Sequence, residues 1–381
     1  MKILYLASSA DWHVDVWTRY FTLGNDVFLF SDDQEYLKDE NYNNVEVHKS
    51  SGYFGKFLNL IKSKSHKLFQ LNKLCSVRVF AAEVTKLINE NDIDIVHAHS
   101  LYFGYLASFI PSYVPVIFTP MGSDIILQAQ TNSVYRHMAR RAFNRADVVT
   151  NDSILLQKKG YLLGAKSDEN YIIQNGVDKS IFFPCETEIK SNLRIGKNEL
   201  LIFSPRAITP NYNIDIIIEA LAMLRDMGIN VQCMFSYAFG DEYFFNLKKL
   251  VRKLNLEDNV IWLGRLSYSE MADHYNAADL ILSVPSSDSS PKSVYEAMFC
   301  RKPIVVSDID WTNEILSGSD CMRVEPKNAT QIAQAVLKIF SDPCFAQKLA
   351  NSGYQTALQN FCYDQNMSEM EAIMLRVCTN P

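Results

Sequence analysis

Residues 279–307 read DLILSVPSSDSSPKSVYEAMFCRKPIVVS. An apolar run, DLILSV (279–284), enters a short polar turn, then a helical stretch that opens with proline, then a second β-branched run, PIVVS (303–307). Strand, turn, helix and strand make a βαβ unit, whose helix carries the chain back so that the two strands lie parallel. In open parallel sheets ligands sit outside the carboxyl ends of the strands, which puts the turn Pro285–Ser290 where a ligand is expected. Ser290 is the expected N-cap and Pro291 the first helical residue. The amides of Lys292, Ser293 and Val294 would then point out of the helix start with the positive end of its dipole, forming a phosphate site to which Lys292 adds a mobile charge. Asp288 before the helix and Glu296 within it, with seven residues between them, supply one carboxylate for a sugar and another for a ribose diol.

The same rhythm extends outward. LLIFS (200–204), VQCMF (231–235) and NVIWL (259–263) precede the unit, each separated by a helical segment. Further upstream lie KILYLA (2–7), DVFLF (26–30), VEVH (45–48), DIVHA (94–98), PVIFT (115–119), DVVT (147–150) and NYIIQ (170–174). Between the two sets, NGVDKSIFFPCETEIKSNLRIGKNE (175–199) breaks the alternation with Gly, Pro and mixed charge. The reading is α/β, two doubly wound Rossmann-like sheets facing across a cleft, with domains at 1–182 and 183–362 and the boundary near Phe183. The final segment, 363–381, reads as an amphipathic helix that packs back on the first domain. At 381 residues and 48% hydrophobic, the chain has enough apolar material for two cores.

The eight cysteines are scattered, with no C-x-x-C pair and no histidine at metal-ligand spacing, so a reduced compartment and no structural zinc are expected. No apolar run approaches the roughly 18–20 residues that span a bilayer, and the start MKILYLASSADWH lacks a leader's basic segment and apolar core. A cytoplasmic protein follows. The net charge of -6 hides an acid-free stretch from Val47 to Ala82 in which lysines accumulate.

The string Asp288, seven residues, Glu296-Ala297-Met298, then Pro303 and a β-strand resembles the signature of family 4 retaining glycosyltransferases, whose fold is GT-B. Taken singly, Ser290, Pro291 and Glu296 suit any helix start; the whole string is more specific. LIFSPRAITPNYNIDIIIEAL (201–221) resembles the opening strand, arginine loop and first helix of that family's donor-binding domain, and NVIWLGRLSYSEMADHYNAADLIL (259–282) its base-lining segment. The resemblance covers most of 199–360 and, more loosely, 1–178. It implies that Arg206 contacts the diphosphate, Gly264 approaches the base through its backbone, Glu296 holds the ribose and Asp288 the donor sugar. It also implies a UDP- or GDP-sugar as substrate, no metal, no resident cofactor, and front-side transfer in which the departing diphosphate helps to take the acceptor's proton. A guanidinium that forks onto phosphate oxygens and stays charged suits the task.

This sequence departs from the family in three places. Where many members carry a lysine beyond the arginine, it has Asn211, Tyr212 and Asn213, leaving Lys292 as a substitute. The usual glycine pair after the first strand is replaced by SSADWH, in which Ser9 is small enough to let the backbone approach a donor and His13 is a cleft candidate. In PVIFTPMGSDIIL (115–127), Met121 and Gly122 occupy a loop where relatives often place a histidine. Asp124 there either orients an acceptor or sugar hydroxyl or caps a helix. His97 and His99 close the strand DIDIVHAHS; their spacing puts both on one face as a small polar cluster, one reaching the cleft and one the core, without an evident third metal ligand.

YFGKFLNLIKSKSHKLFQLNKL (53–74) interleaves lysines with apolar residues at helical spacing, and RHMARRAFNR (136–145) adds a second basic stretch. Both suit the anionic inner face of a membrane and thus a glycan or polyprenyl-linked acceptor in bacterial polysaccharide synthesis. The alternative reading of 53–74 is a core-facing helix with a solvated basic side. Competing readings are a GT-B nucleotide-sugar epimerase, which the Asp288 to Glu296 string disfavours, and a degenerate nucleotide-sugar-binding partner, which Arg206, Lys292 and Glu296 disfavour. Nucleic acid is disfavoured by the acidic balance.

Overall fold

The computed structural model describes residues 1–8, 12–31, 45–49, 66–122, 124–196, 198–236 and 242–379, with the side chains of 12, 13, 15, 49 and 66–75 outside that description. The chain forms two compact units, Met1–Asn175 with Gln365–Pro381, and Gly176–Asp364. The division falls ahead of Phe183, because the chain leaves its first sheet before the irregular stretch rather than within it.

In the first unit, among the described residues, seven strands form one sheet: β1 (Lys2–Leu6), β2 (Asp26–Ser31), β3 (Val45–Lys49), β4 (Ile95–His99), β5 (Val116–Thr119), β6 (Val148–Asn151) and β7 (Asn170–Ile172). Their order is β3-β2-β1-β4-β5-β6-β7, and each ladder is parallel. The strands alternate with helices, including Trp12–Phe21, His66–Asn91, Ser100–Ala107 and Ser133–Arg145. Both faces are covered, which is why the central strand IVHAH is buried from end to end. Phe80, Val84, Leu101, Phe118 and Phe143 belong to the core under the helices. Gly104 permits the closest approach there, since a β-carbon at that position would lie 2.4 Å from the Phe118 ring.

The second unit repeats the plan with β8 (Leu200–Ser204), β9 (Val231–Ser236), β10 (Val260–Gly264), β11 (Leu280–Ser283), β12 (Ile304–Ser307) and β13 (Met322–Val324), ordered β10-β9-β8-β11-β12-β13 and again parallel. The doubly wound reading holds for both sheets. The edge strand β13 was not legible in the sequence, being only three residues long and paired on one side with β12. In each sheet the winding reverses once, between β1 and β4 and between β8 and β11. Such switch points open a crevice at the carboxyl ends of the strands.

The two chain passages between the units lie side by side. Val177 and Cys362 form an isolated parallel bridge, with Val177 N–H donating to Phe361 (2.7 Å) and Tyr363 N–H to Val177 (3.1 Å). The terminal helix, Tyr363–Thr379, buries Met367, Met370 and Met374. Arg376 donates to Glu169 (2.7 Å) and Tyr171 (2.9 Å), and Asn366 to the Gln174 carbonyl (3.1 Å). Among the described residues, no helix is long and apolar enough to cross a membrane.

Candidate functional site

The second unit's switch point gathers the charged residues. Arg206 follows the end of β8 by two positions and is 8% exposed. One arm of its guanidinium pairs with the Asp288 carboxylate, and the other donates to Ser293 Oγ at 2.7 Å. Its face lies 4.3 Å from the centre of the Tyr212 ring. Burial alone would lower the guanidinium's pKa, but Asp288 and Tyr212 outweigh it and hold the group further up, so it stays a cation.

A second loop secures this arrangement. Asn213 adopts a left-handed conformation (φ 51°), which asparagine tolerates, and its amide donates to the Val284 carbonyl (2.8 Å) and to Ser286 Oγ (3.1 Å). Ser286 N–H donates to the Asn211 carbonyl (2.8 Å), and the Asn211 amide to that of Ser287 (2.9 Å). Ser307 Oγ donates to the Pro285 carbonyl at 2.6 Å. The stretch lacking the family's lysine therefore clamps the turn that carries Asp288.

The helix after the turn spans Lys292–Phe299, and its N-cap is Pro291, not Ser290. The expected Ser290 cap fails because that hydroxyl meets Tyr295 Oη at 3.1 Å. Val294 N–H already donates to the Pro291 carbonyl (2.9 Å), so it is not one of the amides open to an anion, as the sequence had suggested. Glu296 is 6% exposed and accepts from Tyr275 Oη at 2.9 Å. Burial raises its carboxyl pKa, while Lys292, the Tyr275 hydrogen bond and Arg206 pull it back down. Lys292 Nζ sits 5.0 Å above the Tyr268 ring. Gly264 ends β10 with φ 74°, and a β-carbon built there would meet nothing within 4 Å, so its backbone is open on that side.

Several participants were invisible in the sequence. Tyr212 and Tyr275 grip the arginine and the glutamate, yet nothing about their spacing marked them. Ser204 and Ser283, at the ends of the adjacent strands β8 and β11, bury hydroxyl oxygens that have no hydrogen-bond partner among the described residues.

The first unit's switch point is different. His97 and His99 are both buried, at 0% and 1%, with ring centres 4.2 Å apart. The shared face was foreseen, but neither ring emerges at the surface as the sequence had suggested for one of them. His97 Nε2 lies 2.7 Å from Thr119 Oγ1, which in turn lies 2.5 Å from Thr150 Oγ1. Tyr5 and Trp17 wall the pair, with centroids 5.2 Å from His97. Burial and then the neighbouring His99 push the His97 pKa well below the ordinary value, so the ring is neutral. Among the described residues there is no group of three or more His, Cys, Asp or Glu placed to hold a metal ion.

Asp124 accepts from Leu101 N–H at 3.0 Å, near the start of the helix Ser100–Ala107. Its carboxylate thus supports a different helix from the one it begins, next to Ser100 in the left-handed region (φ 69°). Met121 and Gly122 are half-buried in the loop after β5. Ser9 lies outside the described residues, as does the His13 side chain. So do residues 53–65, and the side chains of 66–74. In RHMARRAFNR, three of the four arginines serve their own unit. Arg136 donates to the Ala129 (3.2 Å) and Gln130 carbonyls, Arg141 stacks 4.4 Å from the Phe109 ring centre, and Arg145 pairs with Asp147 (3.0 Å). Of these three, only Arg145 is paired with a carboxylate among the described residues; the carbonyl and ring contacts of Arg136 and Arg141 leave their charge in place.

Two parallel, doubly wound sheets, the second with Arg206, Asp288 and Glu296 at its switch point, define a GT-B glycosyltransferase. Residues 186–356 match the family model "Glycosyl transferases group 1", and residues 2–153 match "Glycosyl transferase 4-like". The chain belongs to the group 1, family 4-like glycosyltransferases, a retaining and metal-independent family. It is 20% identical over 300 residues to the N-acetyl-alpha-D-glucosaminyl L-malate synthase of Bacillus anthracis, covering 77% of each chain. It is 22% identical over 297 residues to the putative teichuronic acid biosynthesis glycosyltransferase TuaC of Bacillus subtilis, covering 76% of this chain and 72% of that one. Among solved structures, Anabaena Alr3699/HepE in complex with UDP-glucose superimposes with a TM-score of 0.77 at 20% identity, over 99% of this chain and 100% of that one. Sucrose-phosphate synthase from Thermosynechococcus elongatus gives 0.79 at 15% identity over 100% of both.

Proposed function

We propose that this glycosyltransferase moves a hexose from a UDP-sugar to a glycan or polyprenyl-linked acceptor in bacterial polysaccharide synthesis, acting in the cytoplasm at the inner face of the membrane. The observation that carries the donor half is the buried Arg206, a permanent cation at a strand-end switch point, with Glu296 nearby and Gly264 presenting open backbone. Arg206 takes the charge that develops on the departing diphosphate. Glu296 accepts from the ribose diol, Gly264 and the start of the helix after Pro291 line the nucleotide, and Asp288 accepts from a donor-sugar hydroxyl. The leaving diphosphate takes the acceptor's proton, so no dedicated base is required. UDP is favoured over GDP by the complexes of HepE with UDP and UDP-glucose. The polysaccharide acceptor draws support from the similarity to TuaC. The membrane part rests on the basic composition of 53–74 and 136–145.

A second reading is favoured by one specific observation: Asn211, Tyr212 and Asn213 stand where relatives carry a further lysine, as in a binding-only partner of an active enzyme. Thermal melts of the purified chain with UDP, GDP, ADP and CMP, with and without their common sugars, test the donor. A ligand present at a hundred times its dissociation constant stabilises by about 2.7 kcal/mol. Stabilisation by UDP is the expected result, and stabilisation by none of the four would overturn the donor assignment. Slow release of free sugar from the bound donor, followed by NMR, separates a transferase from a binding-only partner, which releases none, and from an epimerase, which yields a new nucleotide sugar instead.

A further inference from the structure

Arg206 already holds an anion. A two-pronged grip on phosphate oxygens needs the guanidinium arms that Asp288 and Ser293 occupy here. The arginine side chain is 9% exposed and the aspartate 16%, so the pair is largely sheltered from water, where an ion pair is strong and leaving either charge alone is costly. Arriving diphosphate therefore meets a cation in use, with the Asp288 carboxylate repelling it at close range. The Tyr212 ring covers the guanidinium face, a contact that does not depend on which anion the arms hold. A lysine in that loop would compete for Asp288; an aromatic ring steadies the cation without neutralising the carboxylate. The hydrogen bonds from Asn211 and Asn213 to the 284–287 turn keep the two loops in register during such an exchange.

We propose that Asp288 is a built-in counter-anion which the donor's diphosphate displaces from Arg206, and that Tyr212 is the positioning residue that holds the guanidinium while its partner changes. Displacement turns the carboxylate loose for the donor sugar, so a nucleotide that brings no sugar leaves it without a new partner. This inference rests on the nucleotide-sugar reading above.

Calorimetric titration of the full chain with UDP tests it, using wild type, Asp288→Asn, Asp288→Ser, Tyr212→Phe and Tyr212→Leu. If the pair is closed about nine-tenths of the time, opening it weakens apparent affinity roughly tenfold. Asp288→Asn and Asp288→Ser should then bind UDP about tenfold more tightly than wild type while sugar transfer falls, opposite directions that simple damage to the site does not produce. Either aspartate variant suffices if the other does not fold. Tyr212→Phe, which keeps the ring, should bind UDP within about twofold of wild type, and Tyr212→Leu at least about fivefold more weakly, the loss expected of a cation–π contact. Unchanged or weaker UDP binding by the aspartate variants overturns the counter-anion, and equal binding by Tyr212→Leu and Tyr212→Phe overturns the positioning role. If wild type binds none of UDP, GDP and ADP, the nucleotide-sugar reading itself fails. If wild type binds UDP but the aspartate variants do not tighten it, that reading stands and only the present inference falls.

Discussion

Around the switch point of the first sheet, neighbouring strands carry His97, Thr119 and Thr150 in a buried hydrogen-bonded network beside the Tyr5 ring, with the histidine held neutral. At the same topological place in the second sheet, the chain buries Arg206 against Asp288 and sets Glu296 beside Tyr275. Both crevices follow from one winding rule, yet among the described residues only the second buries an arginine–carboxylate pair, while the first has Asp124 on the Leu101 amide. Burying ions costs several kcal/mol each unless partners and hydrogen bonds compensate, so a charged crevice is retained where a charged ligand uses it. The buried, hydrogen-bonded network around His97 fixes its strands with less at stake.

The sharpest way to break this comparison is to remove the charge. Arg206→Ala should reduce kcat/KM about a hundredfold, near 3 kcal/mol of transition-state stabilisation, as for loss of a preorganised donor. A transfer assay showing less than a twofold effect would remove the charged crevice from the chemistry. Next in size is Thr119→Val, which strips His97 Nε2 and Thr150 Oγ1 of a shared partner. It should lower stability by about 1–3 kcal/mol in urea unfolding, with UDP affinity unchanged. A matching loss of UDP affinity would mean that the two crevices are not separable in function.

The smallest effect concerns pH. The folded-state pKa of His97 lies well below its ordinary 6.5, so the unfolded chain takes up a proton first as the medium is acidified. Stability from this ring is therefore intact above about pH 6.5 and is lost as pH falls from there toward the folded value. Melting temperatures recorded between about pH 7 and pH 5 should decline less steeply in His97→Gln than in wild type. Parallel declines would show that the network does not hold the ring neutral.

Local pattern carried much of this molecule. Runs such as LLIFS and PIVVS are β-branched, apolar and flanked by turn residues, so strands and a parallel sheet were legible wherever the run was long enough. The string from Asp288 to Pro303 marked the donor-side turn and helix for the same reason: its residues are neighbours in the chain. The Ser290 cap was misplaced by one residue, because whether a serine caps depends on what else its hydroxyl meets, here Tyr295. Asp124 read either as orienting an acceptor or sugar hydroxyl or as a cap for its own helix; its carboxylate supports the start of the helix Ser100–Ala107, which follows the neighbouring strand. The basic look of 136–145 gave the charge but not where each arginine's donors go, which depends on distant neighbours such as Phe109 for Arg141 and Val114 for Arg145.

By itself, then, the sequence determined two doubly wound sheets, the family, and Arg206, Asp288 and Glu296 as its marked polar groups, since period, β-branching and short motifs are properties of adjacent residues. The tertiary structure decided who holds whom. Arg206 and Asp288 are separated by 82 positions and Glu296 from Tyr275 by 21, and nothing in their local sequence links them. Such pairs form because parallel winding brings the ends of non-consecutive strands to one edge, where burial leaves each polar atom to find its partner among whatever the fold has delivered.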